Sequence, residues 1–276
     1  MLQIGRIQPL LLVQIDRQQA TLQSTDQRQL FMPASELPPE AQVGQQITVF
    51  VYTDHQEQLT ATTRLPKAQV GDVAWLPVVA VHQSGAFLDM GIAKDLFVAE
   101  REQFDPMRVG QSYAVYLYID SLGRLAGTPH IEEHLDHDPS YPPGTAVNGL
   151  IIRRSELGYQ VVVDGRYLGM LYHNELFQRV TLGQEITVYV YKIREDGRID
   201  LRLQAPGDYQ LDELQQQILD RLKQDGGYLA IGDKSDPKLI AAVFGVSKGQ
   251  YKKAVGHLYR KKLIKISERG ILLIEQ

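Results

Sequence analysis

One stretch of this chain occurs three times, and that repetition limits the fold more than any other feature. VGQQITVFVYTDHQEQLTATT begins at Val43, VGQSYAVYLYIDSLGRLAGT at Val109 and LGQEITVYVYKIREDGRIDLRL at Leu182. The leading glycines Gly44, Gly110 and Gly183 stand 66 and 73 residues apart, and each is followed by Gln. A period of that length marks a recurring structural unit, so the chain holds three related modules.

Within each copy the apolar residues alternate. Val49 and Val51, Val115 and Leu117, or Val188 and Val190 share one face, which predicts a half-buried strand. The other face carries Phe50 and Tyr52, Tyr116 and Tyr118, or Tyr189 and Tyr191. Those aromatics suit either a stacking surface or a packing surface against a neighbouring module. Upstream, SGAFLDMGIAKDLFVAERE from Ser84 and LGYQVVVDGRYLGMLYHNEL from Leu157 both read as strand, glycine turn, strand. The first module, with QATLQSTDQRQLFMPASEL from Gln19, shows the pattern faintly. Five short strands with Gly-rich turns predict a small closed barrel of the OB type in each of residues 1–66, 67–131 and 144–204.

Between the second and third modules, the segment from Glu132 to Gly144 contains Pro139, Pro142 and Pro143 and reads as a semi-rigid linker. Gln204 to Tyr209, with Pro206 and Gly207, reads as a shorter one. Beyond it the period changes from two to 3.6. Leu211, Leu214, Ile218 and Leu222 outline a first helix. Asp236 with Pro237 starts a second, which Gly245 closes, and Ser247 caps a third whose apolar face holds Tyr251, Ala254, Val255, Leu258 and Tyr259. Ile264 to Ile274 alternates around Glu268, Arg269 and Gly270 as a hairpin. Three helices and a hairpin predict a winged helix over residues 210–276. The fold class expected is mainly β with a C-terminal α+β domain.

Composition narrows the chemistry. The 276 residues include no cysteine, which removes thiol nucleophiles, thiolate metal sites and disulfides and fits a reducing compartment. The apolar run Leu10 to Val13, between Pro9 and Asp16, is too short for an export signal or a membrane span, so a cytoplasmic protein without membrane contact is expected. Residues 210–276 carry 12 Lys and Arg against 8 Asp and Glu, a balance of +4, while the rest carry 17 against 25, a balance of −8. Affinity for phosphate scales with the charges that neutralise it, so the barrels must lean on stacking and the winged helix on charge.

The string SGAFLDMG resembles the strand-turn signature of the S-one-type RNA-binding module, FGAFVDLG, with DLFVAERE, GMLYHNEL and LFMPASEL in the place of its GLVHISEL segment. Together with GAFLDMGIAKDLFV, the three-module order and the terminal winged helix, this resembles the CvfB family of bacterial RNA-binding proteins over essentially the whole chain. The resemblance implies an RNA-binding role and carries its binding residues over in part. The first signature aromatic is replaced by Ser84 and Leu157, and the second is kept as Phe87 but becomes Gln160. The third-strand histidine falls at Val98 and Tyr172, and the fifth-strand arginine at Arg124 and Arg198, with Gln58 in the first module. Modules two and three are therefore the expected binders, and module one reads as structural.

An OB face holds single strands by stacking bases on aromatics beside basic residues. The candidates are Phe87, Lys94, Phe97 and Arg124 in module two, and Tyr159, Arg166, Tyr172, His173 and Arg198 in module three. In the winged helix they are Lys248, Lys252, Lys253, Arg260, Lys261, Lys265 and Arg269. With Lys262, that tract from Ser247 to Arg269 holds 8 basic residues against Glu268 alone. His130, Glu133 and His134 match H-x-x-E-H, with His137 nearby, but Pro129 and Pro139 leave little room for a helix to carry a metal site. Gly245, Ser247 and Gly249 match G-x-S-x-G, yet a helix precedes them where a nucleophile elbow needs a strand. No catalytic residue, metal or cofactor is expected. The partner expected is RNA, with DNA through the winged helix or a protein-docking scaffold as the rival readings.

Overall fold

In the computed structural model, which describes residues 1–176, 178–204, 208–232 and 234–274, each repeat closes into a five-stranded barrel of one topology. The first barrel contains β1 (Ile7–Ile15), β2 (Gln19–Gln23), β3 (Gln29–Pro33), β4 (Gln46–Thr53) and β5 (Leu59–Thr62). The second contains β6 (Val73–His82), β7 (Gly85–Leu88), β8 (Leu96–Ala99), β9 (Ser112–Ile119) and β10 (Leu125–Thr128). The third contains β11 (Ala146–Arg154), β12 (Gly158–Val163), β13 (Tyr167–Tyr172), β14 (Glu185–Ile193) and β15 (Ile199–Arg202). Around each barrel the order is first, second, third, fifth, fourth strand, and the fourth pairs back onto the first. The third and fifth strands run parallel.

Closing so small a barrel requires the first strand to serve two neighbours while turning a corner. A bulge makes the corner in every copy, between Leu12 and Gln14, Val78 and Ala80, and Ile151 and Arg153. The repeat glycine locks against it. Gly44, Gly110 and Gly183 donate their N–H groups to the carbonyls of Leu12, Val78 and Ile151 at 2.8, 3.0 and 2.8 Å. Their φ angles of 94°, 81° and 77° lie in the left-handed region that only glycine enters without strain. That conformation, set by the turn, is why the repeat keeps glycine there.

The inward valines and leucines of the repeat are fully buried, as alternation predicts. The outward aromatics meet three different fates. Phe50 and Tyr52 are 1% and 8% exposed, packed into one cluster with Ala74, Leu76, Val115 and Leu117 of the second barrel. Burial of a Phe on that scale contributes about 1.5–3 kcal/mol, so the first two barrels share an apolar seam within the compact unit Met1–Leu135. Tyr116 and Tyr118 are covered by a single 3-10 turn, Ile131–His134, whose His134 ring stacks on them. Tyr191 stays 49% exposed.

The second unit, Asp136–Gln276, holds the third barrel and the winged helix. The proline-bearing stretch expected as a linker is partly packed within each unit. Ile131 and Leu135 are buried, the Asp136 N–H donates to the Arg166 carbonyl at 2.8 Å, and the Tyr141 hydroxyl donates to Asp164 at 2.9 Å. Of the shorter linker, Pro206 and Gly207 lie outside the described residues.

The winged helix comprises α1 (Asp208–Gln224), β16 (Tyr228–Leu229), α2 (Pro237–Phe244), α3 (Lys248–Arg260), β17 (Ile264–Ser267) and β18 (Gly270–Leu273), with sheet order β16-β18-β17. Its caps follow the sequence. Asp236 accepts from the Lys238 N–H, Pro237 opens α2, and Gly245 ends it at φ 66°. Ser247 and Gln250 form a reciprocal capping box that starts α3. Tyr251 is fully buried, and its hydroxyl donates to the Ile231 carbonyl at 2.7 Å. The two-residue β16 is too short to show a period. Among the described residues no helix is long and apolar enough to cross a membrane.

Candidate nucleic-acid interface

On the second barrel, Ala86, Leu88, Leu96 and Val98 are fully buried. Because successive strand residues face opposite ways, Phe87 and Phe97 point outward between them. They sit directly opposite each other across β7 and β8 and pack as a tilted pair with ring centroids 5.3 Å apart. Gly85 explains the small residue at the start of the signature. A Cβ there would lie 2.2 Å from the Val98 carbonyl oxygen and under the Phe97 ring, at 2.8 Å from its edge. The same holds at Gly158, 2.2 Å from the Leu171 carbonyl oxygen.

Lys94 Nζ donates to the Asp54 carbonyl of the first barrel at 3.1 Å. Arg124 donates twice to Asp120 Oδ2, at 3.0 and 2.9 Å, and lies 3.6 Å from Glu57. Both cations therefore brace the joint between the first two barrels. Burial works to raise the Asp120 carboxyl, but hydrogen bonds from the Arg124 backbone and side chain and the Leu122 N–H together hold it below the usual range.

On the third barrel, Tyr159 meets His173 edge-on at 5.6 Å, and His173 Nε2 lies 3.1 Å from the Ser155 carbonyl oxygen. Tyr172 donates from its hydroxyl to Asp200 Oδ1 at 3.2 Å, while the Arg194 guanidinium sits 5.7 Å from the centre of its ring. Asp200 is 6% exposed and also receives Arg194 at 2.7 Å, with Lys192 at 3.6 Å. Arg166 is elsewhere. It precedes the far end of the six-residue β13, about 20 Å from Tyr172 along the strand, bonded to Asp136 at 3.0 and 2.7 Å. Arg198 stands in the turn before β15, with its N–H on Asp196 at 3.1 Å and its side chain 4.0 Å from that carboxylate.

The register corrects one correspondence. Tyr172 faces Gly158 as Ala99 faces Gly85, so the third-strand histidine position is Ala99 in the second barrel. Val98 pairs with Ala86 and is core. A slip of one residue moves a side chain to the opposite face, which is why Val98 is buried where Ala99 is not. Sequence reasoning also missed Lys192, Arg194 and Arg202. Their signal was present in YVYKIREDGRIDLR, where basic residues follow the aromatic run and close the repeat.

The winged-helix cations divide into two groups. Tyr251, Ala254, Val255 and Leu258 fill the inner face of α3, which leaves Lys252, Lys253 and Arg260 exposed on the outer one. Lys265 and Arg269 are exposed on the hairpin. Lys248 and Lys261 are used inside the domain, donating to the Ser235 carbonyl at 2.9 Å and to Gln215 at 3.0 Å. Of the H-x-x-E-H residues, His130 packs on Phe104 at 4.5 Å with its Nδ1 3.8 Å from Glu133, while His134 lies on Tyr116. Among the described residues no three His, Asp or Glu side chains are grouped to hold a metal ion.

Residues 216–273 match the model of the CvfB-like winged helix domain, and residues 4–64 and 70–130 each match the S1 domain. Uncharacterized protein YitL of Bacillus subtilis is 28% identical over 236 residues, 82% of this chain and 79% of its own. Conserved virulence factor B of Staphylococcus epidermidis is 27% identical over 246 residues, 85% of this chain and 82% of its own. The chain belongs to the CvfB family. A solved multidomain protein with nucleic acid binding domains from Streptococcus pneumoniae is 26% identical to this CvfB-family chain, covering 98% of each at a TM-score of 0.45. The S1 and winged-helix domains of the CvfB-family chain support nucleic-acid binding as its general activity.

Proposed function

We propose that this chain is a non-enzymatic, cytoplasmic RNA-binding regulator of gene expression, acting after transcription. Single-stranded RNA lies on the barrels and is held mainly by stacking. The observation that carries this reading is the Phe87 and Phe97 pair, two rings placed outward on the strands of an S1 barrel with the core residues on either side turned in. Every base offers a π face, so such a platform binds single strands with little regard to sequence.

A second reading is supported by α3. Lys252, Lys253 and Arg260 on one outer helix face, with Lys265 and Arg269 on the hairpin, have the charge and placement of a recognition helix and wing for a duplex. Salt-dependent equilibrium binding of the full chain to a polypyrimidine RNA, the matching DNA and a duplex tests both readings. RNA binding that outlasts the others as salt rises supports the first, and preference for duplex DNA supports the second. No binding to any of the three overturns both and favours a protein-docking scaffold.

A further inference from the structure

We infer that the outer face of β13, β15 and β14 in the third barrel is a second single-strand binding site, built around Tyr191 and separate from the Tyr159 and His173 contact. This rests on the RNA-binding reading above.

The argument comes from comparing one position in three barrels. The fourth strand of each carries two outward aromatics. In the first barrel, Phe50 and Tyr52 are buried against the second barrel. In the second, Tyr116 and Tyr118 lie beneath His134. The repeat thus places an aromatic strip there three times and covers it with protein twice. The third copy keeps Tyr191 49% exposed.

The third strip also differs in charge. Opposite Phe50 and Tyr116 the fifth strand offers Thr62 and Thr128, whereas opposite Tyr189 it offers Arg202. The fifth strands of the covered strips, LTAT and LAGT, hold no charged residue, while that of the third barrel, IDLR, holds Asp200 and Arg202. A bulge between Val190 and Lys192, absent from the pairing of the other two fourth and fifth strands, brings Lys192 opposite Asp200. The Arg202 guanidinium lies 3.6 Å from the centre of the Tyr191 ring. Asp200 gathers Arg194, Lys192 and the Tyr172 hydroxyl and fixes them. Three cations, Lys192, Arg194 and Arg202, against the one carboxylate of Asp200 leave the strip net positive.

A neutral apolar partner is poorly matched to such a face, because docking it would bury these charges. A single strand suits both components. Bases stack on tyrosine rings or on arginine planes, and phosphates follow the cations. Tyr172 and Tyr191 stand on strands two spacings apart, about 10 Å, with Asp200 of the intervening β15 holding Arg194 and Lys192.

The test uses the full chain and a polypyrimidine RNA carrying 4-thiouridine. Crosslinks at Tyr191 are expected, Tyr191→Ala is expected to weaken binding about five- to a hundredfold, and Tyr191→Phe is expected to retain it. Lys192→Gln is expected to flatten the logarithmic salt slope by about 0.7. Melting transitions of the variants check that each is folded. If wild-type protein binds the RNA but both Tyr191→Ala and Lys192→Gln leave affinity and slope unchanged, this site is wrong while the RNA-binding reading stands. If wild-type protein binds no RNA, both fall. Crosslinks confined to other barrels, or a protein recovered on this face in place of RNA, also overturn the site.

Discussion

His134 lies flat on Tyr116, with ring centroids 4.2 Å apart and planes 3° from parallel. The same imidazole reaches Tyr118 at 6.2 Å, so one side chain holds the 3-10 turn over both outer tyrosines of the second barrel. An aromatic pair contributes about 0.5–1.5 kcal/mol beyond its area. His134→Ala is therefore expected to lower unfolding stability by about 1 kcal/mol, and His134→Phe to keep most of it. Urea midpoints with unchanged slope measure this. Equal losses in the two variants would assign the effect to something other than the stack.

Phe87 points away from the core and packs on the Phe97 ring. Phe87→Ala should cost about 1 kcal/mol of stability from that pair, well short of the roughly 3–5 kcal/mol of a buried Phe. RNA affinity should fall about five- to a hundredfold. A large drop in the melting transition with unchanged affinity would return Phe87 to the core.

Gly85 is expected to tolerate no side chain. Its added Cβ meets backbone, the Val98 carbonyl oxygen at 2.2 Å, and a rotamer change cannot relieve that. Gly85→Ala should destabilise by about 1–3 kcal/mol and misplace the Phe97 ring, so stability and RNA affinity fall together. Gly110→Ala is the contrasting case, strained by its φ of 81° but uncrowded, and should cost stability without touching binding.

The three barrels, the winged helix and its caps were legible because each is written locally. Period two marks strands, Gly44, Gly110 and Gly183 mark one turn, and Asp236 and Ser247 mark helix starts. The use of outward residues was not legible. Phe50, Tyr116 and Tyr189 share one repeat position, and their different surroundings come from groups more than ten residues away: the second barrel, His134 and Arg202. The partners of Lys94 and Arg124 were not legible for the same reason, since Asp54 and Glu57 reach them from another module. Ala99 in place of Val98 shows how small a register error hides a face.

Stability is expected to fall at alkaline pH, in part through Tyr141. Burial first, then its hydrogen bond to Asp164 and the charge of that carboxylate, push its phenol up to about 12 from an ordinary 10. The folded state therefore holds the proton more tightly than the unfolded chain. Its contribution is complete below pH 10 and is lost as pH rises from there to about 12. Tyr52, Tyr118 and Tyr251 are raised by burial in the same direction. Melting transitions across that range should decline for the wild type and less steeply for Tyr141→Phe. A parallel decline would remove Tyr141 from the cause.

The winged-helix cations allow a sharper test, because the structure separates those that can meet phosphate from those that hold the domain together. Lys252, Lys253 and Arg260 are exposed along the outer face of α3, whereas Lys248 and Lys261 end on Ser235 and Gln215. Each phosphate contact to a duplex contributes about 0.9 to the slope of log affinity against log salt. Lys253→Gln and Arg260→Gln should therefore each flatten that slope by about that amount while leaving the melting transition in place. Lys248→Gln and Lys261→Gln should do the reverse. Losing the tether to Ser235 or Gln215 removes about 0.5–1.5 kcal/mol of hydrogen bonding, somewhat more for a charged donor, and lowers the transition. Their salt slope should stay close to wild type, since both ammonium groups are engaged within the domain. A slope that drops equally for all four variants would mean that the tract acts as a diffuse positive field, and that α3 has no privileged face.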